Sequence, residues 1–367
     1  MSLYIGLMSG TSMDGIDAAL VDMTNHSFIQ GITRPYSKDV KQQLDDVLSG
    51  AWSGPGALSQ LNTLIGKEFG LASLQLLEES KRQAKDIVAI GSHGQTLFHD
   101  TSVAIPYTLQ VGCAHTIAEM TGITVVADFR TRDLVAGGQG APFAPIYHQA
   151  VFRQHGFPLA VVNIGGIANI SCLNSEHDLS GYDTGPGNCL MDAWIFKHQQ
   201  KNYDKHGEWA SSGQVIAPLL SQILEDEYFH RPLPKSVGKE YFSCAWLANY
   251  LNENWRPVDV QATLLHVTAV SIANAVKSMS TAPSQVLLCG GGVHNRALCQ
   301  VLSDQLPELD VLSTEALNVS PDYLEAMMFA WFADNALQNK AINLHGVTGA
   351  KRPTVLGAIY PAGLLQK

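Results

Sequence analysis

The sequence predicts an α/β protein of two lobes, and three observations carry that prediction. Strand-length apolar runs alternate with amphipathic helical periods and deliver polar loops, as where Ile87-Val88-Ala89-Ile90 leads into Gly91-Ser92-His93-Gly94-Gln95-Thr96. A strand, a glycine-rich turn and a returning strand open the chain, and the same arrangement recurs at Leu159 to Ile164, Gly165-Gly166 and Ile167 to Leu173. At 367 residues there is enough chain for two lobes, each burying its own core. The expected lobes are 1–150 and 151–367.

In the first lobe, Ile5 to Leu7 and Ile16 to Val21 read as the strands of a hairpin whose tip is Ser9-Gly10-Thr11-Ser12-Met13-Asp14-Gly15. An amphipathic helix follows, with Ser37 as N-cap, Val40, Leu44, Val47 and Leu48 on one face, and Gly50 past its end. A longer helix runs from about Ala57 to Ala84, and a shorter one from Ala114 to Met120, closed by Gly122. Strand Ile123 to Ala127 ends in a polar loop, Asp128-Phe129-Arg130-Thr131-Arg132-Asp133. The second lobe adds a strand near Leu179, the loop Asp183-Thr184-Gly185-Pro186-Gly187-Asn188, and helices from Cys189 to Lys197 and Val258 to Met279. Strand Gln285 to Cys289, the triplet Gly290-Gly291-Gly292 and a helix from Asn295 to Leu306 complete it. Residues 202–257, rich in aromatics and prolines, break the alternation and read as a mostly helical insertion.

Composition removes several function classes. The apolar share is 46% and the charged share 15%, as in a folded globular protein. A formal net charge of −10 opposes nucleic-acid and anionic-membrane surfaces, which need a basic face to displace counterions. No stretch approaches the ~18 apolar residues of a spanning helix, so a cytoplasmic location without a membrane partner is expected. The six cysteines lie far apart, with no C-x-x-C and no zinc spacing, and read as small buried hydrophobes.

Two glycine-tipped hairpins and a glycine triplet are the parts needed to hold a triphosphate. Glycine lets the backbone come close, and the exposed amides of a tight turn bind phosphate oxygens. Gly10, Thr11, Ser12 and Gly15 suit that role in the first hairpin, and Asp14 and Asp17 suit Mg2+, directly or through water. Neither G-x-G-x-x-G nor G-x-x-x-x-G-K-[ST] occurs, which disfavours the dinucleotide-binding and P-loop alternatives.

Taken together, Gly6 to Asp17, Ser92 to Thr96, Ala127 to Arg130, Asn163 to Asn169, Asp183 to Asn188, Pro234-Lys235-Ser236 and Cys289 to Gly292 resemble the anhydro-N-acetylmuramic acid kinase family, in order and over essentially the whole chain. The resemblance implies two actin-like (ribonuclease H-like) lobes with an ATP and substrate cleft between them. It also implies ATP-dependent hydrolytic opening of 1,6-anhydro-N-acetylmuramic acid with phosphorylation of O6, in peptidoglycan and amino-sugar recycling, and a homodimer as a family-level expectation. By resemblance, Gly10 to Asp17, with Met13 and Ile16 among them, form the first phosphate loop. Asn163, Gly165 and Gly166 belong to the second, and Gly290, Gly291, Gly292 and Asn295 to the adenosine-side turn. A local departure falls at Pro232 to Glu240, where the family tends to have a further proline and an arginine.

That chemistry gives the remaining polar loop residues roles. The ether oxygen O6 carries no proton, so the group needing a base is the water that attacks C1. Asp183, which follows a strand and precedes a Gly-Pro-Gly turn, is the candidate base, with a turn cap as its alternative role. Glu325, early in an apolar helix from Tyr323 to Ala333, is a second candidate for positioning the water, with compensation of the helix dipole as its alternative. Arg130, with Arg132 as fallback, suits the lactyl carboxylate of a muramic acid. His93, Gln95 and Thr96 would supply neutral hydrogen bonds to the sugar. Two other functions compete: a kinase for an ordinary sugar hydroxyl, and an actin-like ATPase that drives assembly.

Overall fold

The computed structural model describes residues 1–10, 13, 15–238 and 240–363. They form two compact units, Met1–Phe143 together with the chain from Tyr323 onward, and Ala144–Asp322. The expected cut near residue 150 lies close to the first boundary, but the chain does not stay in the second unit to its end. The physical reason is the helix Leu324–Leu337, whose buried face, including Ala326, Met327, Phe329, Ala330 and Ala333, packs on the sheet of the first unit.

The first unit is built on a seven-stranded sheet. Strands β1 (Leu3–Ser9), β2 (Ile16–Asp22) and β3 (Ser27–Arg34) form an antiparallel meander. β4 (Ile87–Asp100) adds parallel to β1, and β6 (Val125–Ala127) parallel to β4, with β5 (Tyr107–Val111) folded antiparallel onto the far end of β4. The strand Ala358–Tyr360 closes the β6 edge. Nearly every residue of β1 and β2 is buried, because helix Pro55–Glu79, itself backed by helix Lys38–Ser49, and the helix Leu324–Leu337 cover them. Two glycines let the last of these approach: a Cβ at Gly6 would lie 1.8 Å from the Ala326 carbonyl oxygen, and one at Gly91 1.9 Å from that of Phe329.

The second unit repeats the plan. β7 (Leu159–Ile164), β8 (Ile167–Leu173) and β9 (Leu179–Pro186) are an antiparallel meander, β10 (Gln285–Cys289) pairs parallel with β7, and β11 (Asp310–Ser313) pairs parallel with β10. The first sheet runs β3-β2-β1-β4-β6 and the second β9-β8-β7-β10-β11, each a three-stranded antiparallel meander followed by two parallel strands, the duplication that the recurring hairpin suggested. The buried helix Pro257–Lys277 backs the second sheet. Residues 202–238 and 240–257 carry short helices joined by turns, with Leu219, Ile223, Tyr228, Phe242 and Leu247 in the second core.

Two loops expected from sequence are regular structure. Gly91 to Thr96 continues β4, which stays a single 14-residue strand by pairing first with β1 and then with β5. Gly94, at φ 74°, accommodates the irregularity where Leu7/Ser9 of β1 loses register. Asp128 takes the left-handed conformation and Phe129–Val135 is a helix anchored by buried Phe129. Among the described residues no helix is long and apolar enough to cross a membrane.

Candidate active site

In the first unit a cationic site is assembled from β4, the first turn of helix Phe129–Val135 and the loop that carries Gly140. Arg130, in the first turn of Phe129–Val135, donates Nε–H to His93 Nε2 at 2.9 Å and an NH1 hydrogen to the Gly140 carbonyl at 2.7 Å, and its guanidinium lies 5.5 Å from the centroid of the Phe143 ring. A guanidinium only donates, so His93 accepts through Nε2 and is neutral with its proton on Nδ1. Burial, and then the Arg130 charge, hold His93 well below its usual range. Two of five guanidinium N–H groups are used in these bonds, and the planar fork is held in one orientation. Burial lowers Arg130 to about 10, while Glu325 and Asp133 favour its charge.

The loop that supplies Gly140 is itself tied down. Fully buried Asp133 accepts from the Gly140 N–H at 2.7 Å and from the Thr348 hydroxyl at 2.8 Å. Glu325 is half-buried near both Asp17 and Arg130. Burial and then the Asp17 charge raise its pKa, and Arg130 opposes them. Asp17 accepts from the Thr33 hydroxyl at 2.6 Å.

Gln95, expected to contact the sugar, has protein partners at both ends of its amide. Its Oε1 accepts from the Ser9 hydroxyl at 2.7 Å and the Tyr36 hydroxyl at 3.3 Å, and its Nε2 donates to the Gly10 and Thr96 carbonyls, both at 3.2 Å. At 1% exposure with both ends of the amide engaged, it braces the start of the first hairpin loop. His93 likewise serves Arg130, and its ring packs 4.7 Å from that of Phe329. Half-buried Thr96 accepts from Gln110. Of the expected first phosphate loop, Thr11, Ser12 and Asp14 lie outside the described residues. Met13 is left-handed and its N–H bonds to the Gly10 carbonyl at 3.1 Å. Ser9 Oγ donates to the Gly15 carbonyl at 2.8 Å, and Lys41 Nζ to that of Met13 at 3.1 Å. The Ile16 side chain is fully buried in the core.

In the second unit the remaining glycine motifs, distant in sequence, meet. Gly165-Gly166 is the turn between β7 and β8, and it accepts from the N–H groups of Gly187, Asn188 and Cys189 at 2.8–3.1 Å. A Cβ at Gly187 would lie 2.2 Å from the Gly165 carbonyl oxygen, and one at Gly290, where φ is 80°, 2.2 Å from Asn163 Oδ1. Close packing thus demands those two glycines. At Gly291 a Cβ would meet nothing within 4 Å, and at Gly166 only Cys189 at 3.9 Å, so the protein itself leaves room beside these two. Open glycine backbone at converging turns suits a phosphate chain. Asn295, expected at the adenosine turn, is mostly buried as the N-cap of helix Arg296–Gln305, accepting from the Leu298 N–H at 3.1 Å.

Asp183 lies on β9, the edge strand of this sheet. Its Oδ2 accepts from the Val237 N–H at 2.9 Å, its own N–H donates to the Lys235 carbonyl at 3.0 Å, and its carbonyl accepts from the Tyr228 hydroxyl at 2.7 Å. Burial pushes its pKa up to about 6, against the Val237 hydrogen bond. A carboxylate there is poised to take a proton near neutral pH. Of these supporting partners, Lys235 lies in the Pro234-Lys235-Ser236 motif read from sequence, but the link of Tyr228, Lys235 and Val237 to Asp183 had no local signal.

The family model for anhydro-N-acetylmuramic acid kinase matches residues 2–362. The anhydro-N-acetylmuramic acid kinase of Legionella pneumophila (strain Corby) is 56% identical over 361 residues, covering 98% of this chain and 99% of its relative. The chain belongs to the anhydro-N-acetylmuramic acid kinase family. The kinase of that name from Coxiella burnetii (strain Dugway 5J108-111) is 45% identical, over 97% of each chain. Among solved structures, component A of (R)-2-hydroxyglutaryl-CoA dehydratase from Acidaminococcus fermentans aligns at a TM-score of 0.49 and 9% identity, over 90% of this chain and 97% of that one. As a member of this kinase family the chain is a phosphotransferase with an alcohol-group acceptor.

Proposed function

We propose that the chain uses ATP and water to open the 1,6-anhydro ring of 1,6-anhydro-N-acetylmuramic acid while phosphorylating O6, giving N-acetylmuramic acid 6-phosphate and ADP. The observation that carries the reading is the Asp183 carboxylate, raised to about 6 by burial and steadied by a backbone N–H. Because O6 is an ether oxygen, the proton to be removed belongs to the water that attacks C1. Asp183 takes it as the C1–O6 bond breaks and O6 accepts the γ-phosphoryl group, and such help is worth ~10²–10⁴-fold. Arg130, oriented by His93 and Gly140, binds the lactyl carboxylate through its remaining N–H groups.

The open glycine turns at Gly165-Gly166 and Gly290 to Gly292 support the nucleotide assignment. Among the described residues no group of three metal-ligating side chains occurs. Mg2+ is commonly held by one or two carboxylates together with phosphates and waters. Asp17, beside Glu325, is the described candidate; bound there, Mg2+ would offset phosphate charge.

Turnover in ¹⁸O-labelled water tests the mechanism. The label is expected at C1 of the sugar and absent from the phosphate group. Label in the phosphate, or ADP release stimulated by a reducing sugar and not by the anhydro sugar, would overturn the reading.

A further inference from the structure

We propose that Asp226 and Tyr228 are positioning residues for Asp183: one buried-edge carboxylate organises an aromatic cluster whose central hydroxyl fixes the backbone of the catalytic strand. This rests on Asp183 being the base. Asp226 precedes the short helix Glu227–His230, and four donors converge on its two oxygens. The Tyr228 N–H (2.9 Å) and the Tyr241 hydroxyl (2.8 Å) reach Oδ1, and the Trp246 indole N–H (3.0 Å) and the Tyr250 hydroxyl (2.9 Å) reach Oδ2. Those four donors occupy the roughly four acceptor sites of a carboxylate. Burial alone would raise Asp226, yet the four donors hold it below the usual carboxylate range.

Tyr228 is fully buried at the centre of this cluster, with ring centroids 5.3 Å from Phe242, 5.8 Å from Phe229 and 5.9 Å from Tyr241. Its hydroxyl leaves the cluster to donate to the Asp183 carbonyl. Lys235 makes the second tie: its ammonium donates to the Tyr228 and Phe229 carbonyls, both at 3.0 Å, over the Tyr228 ring at 4.6 Å. From that anchored residue the chain supplies the Lys235 carbonyl to the Asp183 N–H and, two residues on, the Val237 N–H to the Asp183 carboxylate. An edge strand normally shows its outward N–H and C=O to water. Here both are claimed at one residue, Asp183, by a segment that one charged hub holds in place.

The titratable groups around Asp183 are Tyr228, whose own acidity is suppressed by burial and by the Asp183 charge, and Lys235, lowered by burial and by Arg231. Arg231 itself sits 5.5 Å from the ring centroids of Tyr228 and Tyr241. Loosening the hub admits water to Asp183 and returns it toward an ordinary carboxylate, which moves the acid limb of the kcat profile to lower pH.

The experiment compares Tyr228→Phe, Asp226→Asn and Asp183→Asn in the full chain, reading kcat against pH, both KM values and Tm. Tyr228→Phe, which keeps the ring, is expected to lower kcat about tenfold with both KM values within about twofold. Its acid limb should fall by about half a pH unit. Asp226→Asn should do the same more strongly, with a lower Tm; if it fails to fold, Tyr228→Phe still decides. Unchanged kcat and limb in Tyr228→Phe, with Asp183→Asn inactive, would overturn the positioning role alone. Near-normal kcat in Asp183→Asn would overturn both this inference and the base assignment.

Discussion

Asp183 and Glu325 are both half-buried carboxylates with raised pKa values, one in each unit, but their surroundings differ in kind. Asp183 has backbone and hydroxyl partners and no cation among the causes of its shift, so its charge is disfavoured by burial and eased by a single N–H. Glu325 stands between charges of both signs, Asp17 and Arg130. Burial is the largest cause of the rise in both, but only Glu325 also feels nearby charges; a buried carboxylate without them is suited to accept a proton, and one set among fixed charges to balance them. The sequence offered Asp183 as the base and Glu325 as a second carboxylate for the same water; we propose from this difference that Glu325 instead balances charge.

The largest effect should come from removing the isolated carboxylate. Asp183→Asn is expected to lower kcat by ~10²–10⁴-fold while leaving both KM values nearly unchanged. Steady-state kinetics showing equal loss in KM would erase the contrast. Next is the cation: Arg130→Ala should cost ~2–5 kcal/mol in kcat/KM for the anionic sugar, seen mainly as a higher KM, with the ATP constant little affected. Comparable damage to both constants would make Arg130 a structural residue of its loop.

A stability measurement sharpens the comparison further. The Asp183 carboxylate has a higher pKa folded than unfolded, so the native state binds more protons between about pH 4 and 6 and loses stability as pH rises through that window. Asp183→Asn lacks the charge and should therefore raise Tm above pH 6, by about 1–3 kcal/mol of stability, with the gain vanishing near pH 4. Thermal melts at the two pH values check it; a destabilised variant at pH 7 would mean that hydrogen bonding, not burial, dominates the site. The smallest effect is expected at Glu325. Glu325→Gln should change kcat by less than about tenfold and weaken the apparent affinity for Mg2+ instead, read as a higher magnesium concentration for half-maximal rate.

The parts of this arrangement legible in sequence are those with a local signature. The β1–β2 and β7–β8 hairpins, the helix closed by Gly50 and the helix closed by Gly122 follow from apolar periodicity and glycine punctuation. β3 went unseen because its residues are half-exposed and mostly polar, and because its strand character comes from pairing with β2. β5, β11 and Ala358–Tyr360 are short strands completed by distant partners. Among site residues, Arg130 and Asp183 stood out as charged groups at strand ends. Gln95 stood out as a polar residue after an apolar run, but its hydrogen bonds to Ser9, Tyr36 and Gly10 join residues that no spacing in the sequence brings together. Asp226 was silent for the same reason: its donors lie 2, 15, 20 and 24 residues away.

The return of Leu324–Leu337 to the sheet of the first unit has a consequence for the order of assembly. A chain made from its amino terminus presents Gly6 and Gly91 long before Ala326 and Phe329, the residues they were shaped to receive. Domains fold as units during synthesis, and Ala144–Asp322 is one continuous stretch that can close on its own core as soon as it has emerged. The unit begun first is thus finished last, and its uncovered β1 and β4 must wait through the synthesis of the other. Glu325 arrives on that same closing helix beside Arg130 and Asp17, so a nascent or truncated chain ending before residue 324 lacks both the lid of its first core and the balancing charge of its cationic site.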